Sequence, residues 1–200
     1  MRALLNRWRR WLWRLLFFRM VFGEQGRAGR RLPHTRIAPS TCIEGAQGLD
    51  LADHVFIGQF NFLDATAGLR IAEGVQITNF VSIVTHSSHR SIRLLGRTYA
   101  GHAGDMPGYV RAPVEIGAYR FIGPHSVVEA GSRISTGVVV CAHSRVRGAV
   151  PDFAIVAGSP ARAIGDVRTG DARLLAQHPE LAAHYAAWAG ELPRAEQEHG

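Results

Sequence analysis

Lysine is absent from this chain of 200 residues, so each of its 23 basic side chains is an arginine. Cysteine is nearly absent: Cys42 and Cys141 stand half the chain apart. That excludes a disulfide framework and any CxxC-type zinc module, and it points to a reducing, cytoplasmic compartment. Long apolar runs are missing as well. The richest segment, WRRWLWRLLFFRMVF at 8–22, is interrupted by Arg9, Arg10, Arg14 and Arg19. It is too short and too charged to span a bilayer, which takes roughly 20 mostly apolar residues. Nor does it hold the unbroken apolar stretch of a cleavable signal. Methionine is scarce, three against 22 glycines, which favours turns and strands over helices. The composition left, 46% hydrophobic and 20% charged, is globular and fits neither disorder, collagen nor coiled coil. The length suits one domain with short extensions.

The charge is unevenly placed. Residues 1–36 hold ten arginines and one acid, Glu24, so they carry +9, whereas the remainder has 13 arginines against 15 acids and carries −2. A nucleic-acid-binding domain would spread its basic surface over the fold, so no nucleic-acid partner is expected. The N-terminal segment is expected to be helical. Its mixture of tryptophan and arginine suits an anionic membrane surface, at the inner face of the membrane. At helical spacing, however, Arg2, Arg7, Arg9, Arg10, Arg14 and Arg19 are not expected to share one side. Packing on the oligomer body is therefore the competing expectation.

The body is periodic. Branched aliphatics recur every six residues at Val110, Ile116, Ile122, Val128, Ile134, Val140 and Val146. A small or branched side chain follows most of them four residues later, at Ser126, Ser132, Val138, Ser144 and Val150. Upstream the period appears in blocks: Ile37 and Ile43; Leu51, Ile57 and Leu63; Ile71, Ile77 and Ile83. The phase slips by two residues between blocks. A six-residue period is neither helical nor a simple alternation; it describes a short strand and a tight turn, with one aliphatic per unit pointing inward. Three units make a triangular coil. The expected fold class is all-β, a parallel β-helix, built over 37–168. The repeat vanishes between Ile83 and Val110, where a glycine-rich loop at 88–109 is expected to protrude and to be functional. Residues 169–200 are expected to add a C-terminal helical extension, with Pro179 breaking or restarting it.

On these repeats, and on NFVSIVTHSSH (79–89), VEIGAYRFIGPHSVVEAGSRI (114–134) and VPDFAIVAGSPARAIG (150–165), the chain resembles the hexapeptide-repeat acyltransferases. It is similar to their sugar, galactoside and maltose O-acetyltransferase branch. The resemblance implies a left-handed β-helix, a homotrimer, acetyl-CoA as co-substrate, no metal, and a sugar or glycan-precursor hydroxyl as acceptor.

Acetyl transfer to a hydroxyl needs a base near neutral pKa, for which histidine is suited. The family places its catalytic histidine where the repeat meets the loop, a few residues after a threonine that corresponds to Thr85. His89 matches if one inserted residue is allowed; His86 is the alternative. Asn61 matches a family asparagine that contacts the acceptor or orients the site, and Asp64 could pair with a sugar hydroxyl or a histidine. Either could instead satisfy backbone groups at a corner. On the coenzyme side the resemblance implies Gly123, Pro124, Ala142 and Ser144 along the pantetheine arm. The family's phosphate-binding threonine and lysine read Arg147 and Gly148 here, so Arg147 and Arg162 are expected to take the phosphates. Two other functions fit a β-helix: a γ-type carbonic anhydrase, with His125 and His143 one coil apart as zinc ligands, and a non-catalytic scaffold.

Overall fold

The computed structural model describes residues 1–190. The last ten residues of the expected C-terminal extension lie outside them.

Three parallel sheets, wound one after another by the same chain, make up the body. The first contains the strands Arg36–Ile37, Phe56–Ile57, Gln76–Ile77, Phe121–Ile122, Val139–Val140 and Ala154–Gly158. The second runs from Cys42–Glu44 through Phe62–Asp64, Ser82–Ile83 and Val127–Val128 to Arg145–Val146. The third runs from Leu49–Leu51 through Leu69–Ile71, Val114–Ile116 and Arg133–Ile134 to Ala149–Val150. Each strand pairs in parallel with its equivalent in the next coil, so the sheets form the three faces of a coil and close no barrel. This is in keeping with the left-handed β-helix.

The periodic aliphatics are the reason for the winding. Ile57, Leu63, Ile71, Ile77, Ile83, Ile116, Ile122, Val128, Ile134, Val140 and Val146 are all buried in one cluster. The residues four places later are buried too: Ser126, Ser132, Val138, Ser144 and Val150. Each hexapeptide therefore sends two side chains inward, not the one that the period alone predicts. Register gives the coil lengths. Ile37 faces Ile57 and Ile57 faces Ile77, whereas Ile116 faces Ile134 and Ile122 faces Val140. The early coils are thus two residues longer than the late ones. The surplus sits at the corner between the second and third sheets, where the slip in phase was read.

Val110 departs from the repeat. It lies in the strand Val110–Arg111, which pairs antiparallel with His86–Ser87 and returns the loop to the body. It is only half-buried because it is no rung of the coil. Between these strands the loop folds into a short helix and a 3-10 turn, Ser91–Leu95 and Gly96–Gly101.

The corner after the first sheet is lined with rings. Phe60, Phe80, His125 and His143 occupy it in four successive coils, each with left-handed backbone at φ 57–59°. That conformation is uncommon for bulky residues and is retained here by the coil on either side. Their rings stack along the coil axis, with centroids 5.2, 4.9 and 4.9 Å apart. At the far end the chain turns back in the antiparallel pair Ala154–Gly158 and Ala161–Asp166. A helix Val167–Gln177 follows, and Asp166 caps it by accepting the Arg168 backbone N–H. Pro179 opens a new turn and the helix Ala182–Ala189 begins after it. Trp188 then lays its ring against Tyr119 at 4.6 Å.

The N-terminal helix, here α1, spans Arg2–Trp13 and continues as a π-helical turn, Arg14–Phe18. None of its residues is buried. The expectation about its arginines is corrected by the helix itself. At about 100° per residue, Arg2, Arg7, Arg9 and Arg10 fall within one arc of about 160°. Leu4, Leu5, Trp8, Trp11 and Leu12 fill an arc of about 120° opposite. Arg14 would fall in the same arc, Arg19 lies beyond the helical turns and opposite it, and Trp13 is the aromatic of α1 that falls among the arginines.

Candidate active site

The longer corner between the second and third sheets builds a polar cluster. Asp64 ends its strand there, and its side chain is fully buried. One carboxylate oxygen accepts the Thr66 N–H (2.9 Å) and the Thr66 hydroxyl (2.6 Å). The other accepts the Thr85 N–H (2.8 Å) and the Thr85 hydroxyl (2.7 Å) from the next coil. Burial alone would push this carboxyl up, but the hydrogen bonds from Thr66 and Thr85 hold it well below the usual carboxylate range. A carboxylate held ionised in the interior needs a further partner. It has one: His86 Nδ1 lies 2.7 Å from Asp64 Oδ2, while the imidazole keeps about a third of its surface open.

Adjacent coils are thus tied at the point where the loop leaves. Thr85 accepts the Ala67 N–H, and the Arg111 guanidinium donates to the Thr66 carbonyl from the returning strand. Tyr109 lays its ring nearly parallel to His86, with centroids 5.9 Å apart. Tyr109 and Arg111 also border a cavity of about 590 Å³ under the loop, with Tyr99, Asp105 and Met106. The sequence reading missed Thr66, Tyr109 and Arg111. Thr66 could have been found from its place two residues after an aspartate at a corner, where a short hydroxyl caps the turn.

The other candidates fall in several places. His89 is exposed, three residues further out; its Nδ1 meets only the Ser87 hydroxyl, at 2.7 Å. Asn61 is buried on a different corner and spends its side chain on the backbone, donating to Gly58 and Thr78 and accepting from Val81. Gly123 lies where a Cβ would strike the backbone of Cys141 and Ala142, so the stacking of coils requires glycine there. Pro124 and Ala142 are at least partly accessible beside it. Ser144 points into the coil, 2% exposed, and its hydroxyl is without a partner. Arg147 follows Val146 on the corner that carries Asp64, because Leu63, Ile83, Val128 and Val146 are in register. It is exposed, with Glu129 at 3.7 Å. Arg145, beside it, pairs with the same glutamate at 2.7 Å. Arg162 lies opposite Ala157 in the terminal hairpin, whose Ser159 hydroxyl accepts from Arg145 at 3.1 Å.

His125 and His143 stack face to face, 2° from parallel. Neither belongs to a cluster of three ligating side chains; among the described residues that description fits His34, Asp53 and His54.

In sequence and in its coil of three parallel sheets the chain resembles the hexapeptide-repeat acetyltransferases. No protein-family model matches it. It is 28% identical over 155 residues to a probable acetyltransferase of Mycobacterium tuberculosis, a match covering 75% of this chain and 48% of that protein. It is 31% identical over 120 residues to the bifunctional protein GlmU of Zymomonas mobilis, covering 53% of this chain and 26% of the other. The chain therefore spans half or less of the curated relatives it matches. Among solved structures, a hexapeptide-repeat acetyltransferase of Vibrio cholerae complexed with acetyl coenzyme A aligns with TM-score 0.59 and 24% identity, over 80% of this chain and 77% of that one. AntD, an N-acyltransferase of Bacillus cereus in complex with dTDP and 3-hydroxybutyryl-CoA, aligns with TM-score 0.58 and 17% identity, over 74% and 87%. A maltose O-acetyltransferase of Clostridium difficile aligns with TM-score 0.51 and 20% identity, over 63% of each chain.

Proposed function

We propose that the protein is an acyltransferase that moves an acetyl group from acetyl-CoA to a hydroxyl of a sugar or sugar-nucleotide acceptor, with His86 as the base. The observation that carries this reading is the 2.7 Å contact of His86 Nδ1 with the buried Asp64 carboxylate, beside an open cavity. Asp64 accepts the hydrogen bond from Nδ1–H, which fixes the tautomer and leaves Nε2 free as acceptor. Nε2 removes the proton as the acceptor hydroxyl attacks the thioester carbon. The imidazolium formed is stabilised by the carboxylate below it and returns its proton to the departing sulfur. No net proton is consumed, so the dyad is regenerated in each turnover. His89, itself exposed and bonded only to the Ser87 hydroxyl, lacks an orienting carboxylate and has the weaker claim.

The acceptor is assigned to the cavity under the loop, between Tyr109 and Arg111. The donor is assigned to the corner that leads from Asp64 towards Arg147, with Arg147 for its phosphates. Arg162 is assigned a further phosphate contact, because its hairpin reaches the same corner: the Ser159 hydroxyl accepts from Arg145, which shares Glu129 with Arg147.

Mass spectrometry of sugars and nucleotide sugars incubated with the protein and acetyl-CoA tests the reaction. An acetylated hydroxyl is expected; acylation of an amino sugar in its place would keep the dyad and overturn the acceptor. For the donor, Arg147→Ala is expected to raise the KM for acetyl-CoA about tenfold and leave kcat nearly unchanged, because a phosphate contact is equal in ground and transition states. The variant should also lose its preference for acetyl-CoA over the 3′-dephospho donor. An unchanged preference removes Arg147 from that phosphate.

A further inference from the structure

The segregated faces of α1 have no function in acyl transfer. Residues 1–23 contain six arginines and no acid. The apolar arc of α1 is uncovered: Leu4, Leu5, Trp8 and Trp11 are each more than half exposed, and Leu12 is 41% exposed. Beyond it, Leu15, Leu16, Phe17 and Phe18 are exposed as well. The helix is nonetheless tied to the body at its far end. The Phe18 ring meets Phe60 edge-on at 5.9 Å, the first ring of the stacked corner, and the Phe18 carbonyl accepts from Gln59. Arg36 then covers Phe22 at 4.7 Å. Chain order thus gives an uncovered amphipathic rod attached at the end of the coil where winding begins.

We propose that α1 lies in the surface of an anionic lipid bilayer, apolar arc inward, and holds the first coil of the β-helix against the membrane. This inference does not depend on the acyl-transfer reading. Charge complementarity selects the occupant. Arginines flank the apolar arc on both sides, Arg9 beside Leu5 and Arg7 beside Trp11, as they must to reach headgroups while the arc is immersed. Trp8 and Trp11, on the apolar arc, suit the boundary between headgroup and acyl chain. A second copy of the helix would offer neither anions for these guanidinium groups nor polar partners for the indoles. The body, net −2, attracts the arm weakly, and α1 has no buried residue to show for it. No helix among the described residues is long and apolar enough to cross a membrane, so the contact is one of lying on the bilayer.

The test floats the full-length protein with vesicles of phosphatidylcholine alone or with about 30% phosphatidylglycerol added. Partition onto the anionic vesicles should be at least about tenfold stronger, and raising salt from about 0.1 to 0.5 M should remove most of that difference. The double variant Arg9→Gln/Arg10→Gln should lose affinity for the anionic vesicles alone. Trp8→Ser/Leu12→Ser should lose it for both compositions, with the circular dichroism of the β-helix unchanged. Equal partition of wild type onto both compositions overturns the proposal. So does a wild type that ignores vesicles while Trp8→Ser/Leu12→Ser dissociates its oligomer, since the apolar arc then belongs to another copy.

Discussion

Replacing His86 with alanine is expected to lower kcat by about 10²- to 10⁴-fold, the usual contribution of a positioned base. Asp64 stays buried and bonded to Thr66 and Thr85, so the fold should survive, and the KM for acetyl-CoA should change little. His89→Ala is the control. Its imidazole is exposed and meets only Ser87, so activity within about threefold of wild type is expected. Steady-state kinetics on the two variants decide the assignment. A crippled His89→Ala with an active His86→Ala would transfer the role outward and leave the Asp64 pair as a structural clamp. Two active variants would remove histidine from the reaction.

Asp64→Ala is expected to cost more than activity. It strips the partner from two backbone N–H groups, two hydroxyls and an imidazole at a fully buried position. Loss of a buried charged partner of this kind typically costs about 3–5 kcal/mol. Denaturant melts should show it directly. The pH dependence adds a signature. Because the folded carboxyl lies below its ordinary value of 3.8, its stabilisation is complete above that value and fades as the pH falls through and beneath it. The stability gap between wild type and Asp64→Ala should therefore be widest near neutrality and narrow below about pH 4. A gap that stays constant from pH 7 to about pH 3 would mean that the ionised form is not what the site selects.

Much of this was legible in the sequence, for a physical reason. In a coil of six-residue units every inward side chain is set by short-range repetition, so Ile116 to Val146 could be read without any knowledge of tertiary contacts. Even the two-residue slips were visible, although not their meaning: they lengthen the corner that seats Asp64. What the period could not resolve was a direction. His86 and His89 lie three residues apart at the edge of a loop, and only the strand pairing of His86–Ser87 with Val110–Arg111 shows which imidazole faces Asp64. Tyr109 was hidden for the same reason, since a loop folds back by contacts that carry no period. Val110 failed in the opposite sense. Its spacing fitted the repeat by coincidence, and the strand it joins runs antiparallel.

The stacking of coils also separates two quantities that most enzymes must adjust together. Asp64 and His86 come from neighbouring rungs, so their spacing follows from the backbone pitch of a parallel sheet, about 4.8 Å per strand. The chain that lines the cavity beside them leaves after Ser87 and rejoins at Val110, outside that pitch. On the proposed reading, the geometry of the pair is therefore set by the winding and the shape of the cavity by the loop. Grafts between Ser88 and Tyr109 are then expected to change the acceptor while the Asp64–His86 spacing stays as the coil sets it.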